Sequence, residues 1–336
     1  MTIQKSSAIK GIAIILMLVH HLFIWGQADY ISLVNIILPN SLTIEIFLGV
    51  FGKICVTLYL FLSGYGFSCK YEKKISSAGV QRECLISAWK IYKKYLLVML
   101  VFLPYGFINS IYSADIKTFI ENITGFNTSY NQECWFLFVY VFIVIIILPL
   151  LIKVQNKKID TKWIILGSLI TILCGYVLRF IITHSSMAWF KDTRIFFNLY
   201  YFMLCQFAFV VGWSCKRKDF FEKTEKYRIH WILWVIMMGI LMCMKVYCHG
   251  GMLVDTILTP FFIALCLKAI DQLKWIENIL IVLGKKSTYM WMTHTFFAFY
   301  YWSSFIYSFK YPLLIFSVLL AVSFITSCVL EKMEFF

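Results

Sequence analysis

Lys10 and His21 are the residues of the N-terminal segment that could carry chemistry, and the apolar run 11–19 separates them. On a helix, eleven steps of about 100° bring His21 to within about 20° of Lys10, about 16 Å further along the axis. A neutral imidazole can act as a general base at physiological pH. Ionisable groups inside a membrane are usually functional, although a histidine can also serve only to bond a neighbouring helix. The spacing predicts a cation and an imidazole on one face, which His20, about 100° away, does not share.

Two further ionisable residues, Lys53 and His294, interrupt apolar segments. Lys53 lies about 12 Å by helical rise from Glu45, where its segment begins. At that depth a lysine needs a partner or an anion, unless its side chain extends to the headgroups. For His294, a functional role and a packing role both stay open.

The end of the second apolar segment and the start of the third indicate a site for phosphate. Ser63, Gly64 and Tyr65 predict a helix break near the inner boundary, which would expose backbone amides suited to a phosphate group. Lys90 and Lys93 would form a cationic rim for a polyanion. The alternatives are tight helix packing by small residues and ordinary anchoring by cytoplasmic basic residues.

Charged residues also gather near the outer boundary of the predicted membrane region. They either line a polar pocket for an acceptor from outside or are interfacial residues without a role in chemistry. They are Glu45, Glu133, Arg179, Asp192, Arg194 and Asp255.

The composition excludes a soluble protein. Of the 336 residues, 61% are hydrophobic and only 14% are charged, so a soluble domain would have a largely apolar surface. The net charge of +14 does not indicate nucleic-acid binding, because the basic residues form short clusters between apolar segments, as cytoplasmic loops do. The eleven cysteines include no Cys-x-x-Cys or Cys/His spacing, which predicts packing residues and no metal site.

The hydropathy pattern predicts an all-α polytopic membrane protein with about ten transmembrane helices. With the N-terminus inside, the cytoplasmic side receives 24 of the 31 basic residues, so both termini are predicted to be cytoplasmic. No loop is long enough to fold separately, and we expect residues 1–336 to form a single integral membrane domain with no separate soluble domain. The predicted spans are 6–26, 45–67, 90–111, 133–153, 162–183, 195–214, 229–247, 252–270, 278–303 and 311–330, of which the eighth is short and contains Pro260.

Several blocks, in one order along most of the chain, resemble the acyltransferase-3 family of integral membrane acyltransferases. Lys10 and His21 resemble its Arg-x10-His signature, and the block that ends at Ser63, Gly64 and Tyr65 is similar to a second family block. The other similar blocks are Lys90 with Lys93, Trp135 to Leu137 with Pro149 to Leu151, and Leu283 to His294.

The sequence also departs from the family pattern. Lysine replaces arginine at positions 10, 90 and 93, which removes bidentate recognition of phosphate. Tyr140 and Val141 occupy places where some members carry a pair of glutamates.

The resemblance implies transfer of an acyl group, commonly acetyl from cytoplasmic acetyl-CoA, to a hydroxyl of a carbohydrate or glycolipid of the cell envelope. It implies that acyl-CoA is a co-substrate and that no cofactor is tightly bound. It also implies a multi-pass protein of the bacterial plasma membrane, surrounded by membrane lipids and without nucleic acid as a partner. The oligomeric state stays open, a homo-oligomer included.

The resemblance also implies roles for named residues. His21 would be catalytic, either by deprotonating the acceptor hydroxyl or by carrying the acyl group transiently. The expected donor-binding residues are Lys10, Lys53, Ser63, Gly64, Tyr65, Lys90 and Lys93. The residues expected to contact the acceptor or to support His21 are His20, Glu133, Trp135, Arg179 and His294.

The alternative is a carrier of lipid-linked saccharides or small metabolites, which would use the same charged spans as a pathway without chemistry. Many carriers contain paired discontinuous helices in two matching halves, and the sequence indicates none. Interaction with acetyl-CoA separates the two hypotheses, because only the enzyme needs the donor.

Overall fold

The computed structural model describes residues 1–26, 30–31, 43–72, 77–187, 189–190, 193–227, 230–248 and 251–334. The elements of this part of the chain are helices. They are α1 Ile3–His20, α2 Ile44–Gly52, α3 Cys55–Lys70, α4 Ser77–Ile108, α5 Ile116–Ile123, α6 Trp135–Phe142, α7 Leu148–Asn156, α8 Thr161–His184, α9 Arg194–Arg217, α10 Phe220–Glu225, α11 Trp231–Tyr247, α12 Gly251–Gln272, α13 Lys274–Thr295, α14 Ser303–Tyr307 and α15 Pro312–Met333.

In the part of the chain that the structure describes, three helical segments contain a turn of π-helix. The turns are His21–Trp25, which continues α1, Ile143–Ile147, which joins α6 to α7, and Phe296–Tyr300, which continues α13. Such turns frequently occur at functional sites. Here the first of them begins at His21 itself.

Within the described residues, eight helical segments are long and apolar enough to cross a membrane, so the all-α multi-pass architecture is confirmed. Two predicted spans fall outside this group. Helix α11 has only 17 residues, and α13 carries Lys274, Glu277, Lys285 and Lys286. The count of ten and the cytoplasmic termini therefore stay predictions. Helix α12 is continuous through Pro260.

The outer surface of the bundle is apolar, as a bilayer requires. On α8, Leu173, Val177 and Phe180 are 48–62% exposed. Exposing such a surface to water would cost a free energy of roughly 25 cal/mol per Å², whereas contact with lipid does not carry this cost. Buried polar residues such as His294 and Asp255 find partners inside the bundle, because hydrocarbon offers them no hydrogen bond.

Helix α1 packs most extensively on α13, and two glycines allow the close approach. A Cβ atom on Gly11 would lie 2.1 Å from the carbonyl oxygen of Leu280, and one on Gly284 would lie 1.8 Å from that of Ser7. Any larger residue would force the backbones apart. The helix that carries His21 is therefore fixed against the helix that carries His294.

Helices α3 and α9 pack in the same way. A Cβ atom on Gly64 would lie 1.9 Å from the carbonyl oxygen of Phe209, and one on Gly212 would lie 2.0 Å from that of Phe61. The predicted helix break at Ser63–Tyr65 is wrong, because α3 runs without interruption from Cys55 to Lys70. The amides of Gly64 and its neighbours are used inside the helix, and the glycine serves helix packing.

Candidate active site

One cavity of about 770 Å³ extends along α1, and its lining includes both Ser7 and Trp25. These residues are separated by roughly 27 Å of helix axis at 1.5 Å per residue. We call its two parts the Lys10 end and the Arg194 end. The Lys10 end is lined by Ser7, Lys10, Ser63, Gly284, Lys285, Ser287 and Thr288. The Arg194 end is lined by Trp25, Lys53, Arg179, Arg194, Phe197, Tyr201, Gly251 and Met252.

Between the two ends, His21, Glu133 and His294 form one hydrogen-bonded group, which we call the histidine centre. Nδ1 of His21 lies 2.6 Å from Nε2 of His294, with the two ring planes within 13° of each other. Nε2 of His21 lies 3.2 Å from Oε2 of Glu133. Both His21 and Glu133 line the cavity, whereas His294 is fully buried behind them.

The hydrogen bonds of the histidine centre fix the positions of its protons. Nδ1 of His294 lies 2.8 Å from the carbonyl oxygen of Trp291 and 3.1 Å from that of Met290, and carbonyls only accept, so this nitrogen carries a proton. With His294 neutral, its Nε2 accepts and Nδ1 of His21 donates. Nε2 of His21 then faces Glu133, and the pair must share one further proton, as imidazolium with carboxylate or as imidazole with carboxylic acid.

The segment that carries Glu133 is held in place by α13. The side-chain amide of Asn131 donates to the carbonyl oxygen of Met292 over 3.1 Å, and the hydroxyl of Thr295 donates to the oxygen of that amide over 2.8 Å. The indole of Trp291 donates to the carbonyl oxygen of Glu133 over 3.3 Å. The carboxylate and His294 therefore depend on the same helix for their positions.

His20 is also buried and lines the cavity, but both of its nitrogens are occupied. Nδ1 lies 2.8 Å from the carbonyl oxygen of Gly49, and Nε2 accepts from the indole of Trp25 over 3.2 Å. It therefore fastens the end of α1 to α2. Trp135 lines the cavity as well and packs on the ring of Tyr201, with a centroid distance of 4.3 Å.

At the Lys10 end, two lysines line the cavity from different helices. Lys10 lies on α1 and Lys285 on α13, and neither forms a salt bridge within the described residues. Lys285 was missing from the predicted site residues, although the block from Leu283 to His294 contains it. The hydroxyl of Ser287, which also lines this end, donates to the carbonyl oxygen of Gly284.

The three residues at the predicted break are placed differently from one another. Ser63 lines the cavity, whereas Gly64 packs on α9. The hydroxyl of Tyr65 donates to Oε1 of Glu222 over 3.2 Å and accepts from the N-terminal amine of Met1 over 3.3 Å. Tyr65 is therefore part of a contact between the N-terminus and α10, and it does not line the cavity.

The two lysines predicted to form a cationic rim are exposed. Lys90 and Lys93 lie on α4, and only their neighbour Ile91 lines the cavity. Lys94 of the same helix forms a 2.6 Å salt bridge with Glu334. The structure thus places the rim at the surface of the bundle, outside the cavity wall.

The Arg194 end contains three of the predicted polar residues. Lys53 lies at the junction of α2 and α3 and is within electrostatic range of Arg179. It is thus grouped with the cations of this end and not with Lys10. Nε of Arg194 donates to the side-chain oxygen of Asn127 over 2.9 Å. Asp192 lies outside the described residues.

Comparison with known proteins decides the family. Residues 5–332 match the sequence model of the acyltransferase-3 family, described as an acyltransferase domain. The protein belongs to this family. No curated protein and no solved structure shows significant similarity to the chain.

The acyltransferase contains a second charged pair in its interior, between α11 and α12. Nζ of Lys245 lies 2.8 Å from Oδ1 of Asp255, and the two side chains are 6% and 0% exposed. Neither residue is part of the cavity lining. The alternative that Asp255 lines an acceptor pocket is therefore not supported, and Glu45 is buried as well.

Proposed function

We propose that this membrane acyltransferase moves an acetyl or other short acyl group from acyl-CoA to a hydroxyl of a carbohydrate or glycolipid of the cell envelope. The observation that carries the proposal is the single cavity in which the histidine centre lies between two cationic ends. A donor and an acceptor could approach His21 from opposite directions. In the predicted topology, 24 of the 31 basic residues lie on the cytoplasmic side, and we assign the Lys10 end to that side.

The donor would bind at the Lys10 end. Lys10 and Lys285 supply two ammonium groups without salt-bridge partners among the described residues, and Ser63 supplies a hydroxyl. Such groups suit the phosphates of CoA. Its extended pantetheine arm would then follow α1 toward His21, about 16 Å along the axis. Gly64, Tyr65, Lys90 and Lys93 lie outside the cavity and have no part in this proposal.

His21 would act as the general base. As the acceptor oxygen attacks the thioester carbonyl, Nε2 of His21 takes the hydroxyl proton, the C–S bond breaks, and the proton passes to the departing CoA thiolate. The products are an ester and CoA. This requires Nε2 to be free of the shared proton, which Glu133 can hold as the acid. His294 accepts from Nδ1 and so fixes the ring orientation.

A single lysine tests the donor site. Lys10→Ala should raise the Michaelis constant for acetyl-CoA about 5- to 150-fold with little change in turnover, because a phosphate contact of about 1–3 kcal/mol is lost equally from the ground state and the transition state. Lys10→Arg should keep most of the activity, since it retains the cation. Acetyl transfer and hydrolysis by the purified protein in nanodiscs measure both constants.

Lys117→Ala is the matched control, because Lys117 is exposed on α5 and does not line the cavity. Unchanged acetyl-CoA kinetics in Lys10→Ala would contradict the donor site. A protein that shows no interaction with acetyl-CoA, yet binds or moves a glycolipid, would support the carrier hypothesis.

A further inference from the structure

The lining of the cavity is strongly cationic. Among the described residues, its fully charged members are five lysines and arginines against one carboxylate, that of Glu133. Two of the cations, Lys10 and Lys285, belong to the Lys10 end. The other three lie at the Arg194 end, which the donor site proposed above does not reach.

The three cations at the Arg194 end come from three separate elements. They are Lys53 at the junction of α2 and α3, Arg179 on α8 and Arg194 on α9. Tyr200 lies within electrostatic range of both arginines. Lys53 lies within range of Arg179 and also of the ion pair between α11 and α12. Three cations from distant parts of the sequence thus converge on one part of one cavity.

Within the described residues, none of these three cations forms a salt bridge. Arg194 contacts the amide oxygen of Asn127 at 2.9 Å and lies over the ring of Phe197 at 4.3 Å. The nearby Lys245 is different, because Asp255 neutralises it at 2.8 Å. Lys245, which does not face the cavity, thus has a carboxylate partner. The three cations that face the cavity have no described carboxylate within salt-bridge distance.

We propose that the acceptor is an anionic molecule, whose phosphate or carboxylate group binds Lys53, Arg179 and Arg194 while its hydroxyl reaches His21. This inference rests on the proposed function, since it assigns the acceptor to the end of the cavity opposite the donor. Guanidinium groups bind phosphate and carboxylate through paired hydrogen bonds. Lys53 and Arg179 are exposed and Arg194 is half-buried, so all three side chains are accessible to an anion that enters this end of the cavity.

The first experiment identifies the product. Cells that express the wild-type protein are compared with cells that express His21→Ala, and the molecules whose acyl group depends on His21 are isolated by mass spectrometry and anion exchange. The proposal expects these molecules to carry a negative charge at neutral pH. A neutral product would overturn it and leave the proposed function intact, whereas the absence of any His21-dependent product would contradict the proposed function.

The second experiment uses the acceptor recovered from those cells, with its acyl group removed by mild base, and the purified protein in phosphatidylcholine nanodiscs. Lys53→Gln, Arg179→Gln and Arg194→Gln should each raise the Michaelis constant for this acceptor about tenfold. The Michaelis constant for acetyl-CoA should stay unchanged. Arg194→Lys should show a smaller effect, and Lys117→Gln, an exposed cation away from the cavity, should show none.

The phosphate of an anionic phospholipid could bind the same three cations. Varying the lipid composition of the nanodiscs distinguishes a bound phospholipid from a bound acceptor. If the cations hold a headgroup, adding phosphatidylglycerol to the nanodiscs should raise activity, and the three variants should abolish that response without changing the Michaelis constant for the acceptor. That result would overturn the proposal. Activity that is independent of phosphatidylglycerol, together with weakened acceptor binding in the variants, would support it.

Discussion

Two charged groups lie inside the helical bundle, and they differ in their access to the cavity. In the histidine centre, His21 and Glu133 are 9% and 22% exposed and both line the cavity. In the second group, Lys245 and Asp255 are 6% and 0% exposed and do not line this cavity. The first group is open to the cavity and holds a proton between an imidazole and a carboxylate, whereas the second is an ion pair without access to the cavity.

The difference shows that an ionisable residue within a membrane segment is not by itself evidence of catalysis. A buried pair can be retained because removing either partner leaves an unpaired charge, even when the pair adds little stability. Access to a cavity, together with a hydrogen bond that fixes the proton positions, distinguishes the histidine centre. Variants of the two groups should therefore affect different properties of the protein.

The largest effect on turnover is expected for His21→Ala. Loss of a general base should lower turnover about 10²- to 10⁴-fold. The thermal unfolding temperature in detergent should fall only slightly, because the space left by the imidazole opens to the cavity and water can then bond Nε2 of His294. His20→Ala is the control and should reduce activity much less, since His20 serves to join α1 to α2. Near-normal transfer by His21→Ala would remove the catalytic assignment and make His294 the next candidate.

The opposite pattern is expected for Asp255→Ala. Leaving the ammonium of Lys245 buried and unpaired should lower the free energy of unfolding by about 3–5 kcal/mol. The double variant Lys245→Met/Asp255→Leu should recover most of this loss, because it removes both charges. Denaturant unfolding in mixed micelles measures the stability. The closed-pair interpretation fails if Asp255→Ala is as stable as the wild type but has lost turnover.

A smaller effect on turnover is expected for Glu133→Gln. The glutamine amide can donate to Nε2 of His21 as the carboxylic acid does, but it cannot release that proton and become a carboxylate, so nothing offsets the positive charge that His21 gains when it takes the hydroxyl proton. Turnover should fall about 10- to 100-fold, and the Michaelis constant for acetyl-CoA should not change. Steady-state kinetics decide this, and an unchanged turnover would show that Glu133 takes no part in the proton transfer.

The smallest effect of the series is expected for His294→Gln. Glutamine keeps a hydrogen-bond acceptor for Nδ1 of His21, so the ring orientation should be largely preserved and turnover should fall about tenfold or less. His294→Leu, which removes the acceptor, should cost more. Equal kinetics of the two variants would show that His294 fills space and does not position His21.

The sequence predicted the parts of the site that depend on spacing within one helix. Lys10 and His21 were expected on one face of α1, and both line the cavity. The helical class followed from hydropathy alone. The family was recognised from short blocks that keep their order along the chain, and the family comparison confirmed it.

Contacts between distant segments could not be predicted in the same way. No periodicity relates Glu133 to His21 or His294, since the three are brought together by the packing of α1 on α13 and by the bonds of Asn131 to that helix. The predicted break at Gly64 failed for a related reason. A glycine within a membrane segment can interrupt a helix or allow a second helix to pack closely against it. Which of the two occurs at Gly64 depends on the position of α9, which the sequence does not give.

The cation-lined cavity has a consequence for the electrical insulation of the membrane. A passage that extends along most of a membrane-spanning helix would, if neutral or acidic, offer a leak for protons and metal cations down the transmembrane potential. Fixed positive charges in a narrow pore raise the electrostatic barrier to such ions. An arrangement of lysines and arginines at both ends would allow substrates to meet from opposite faces while the ion gradients are preserved.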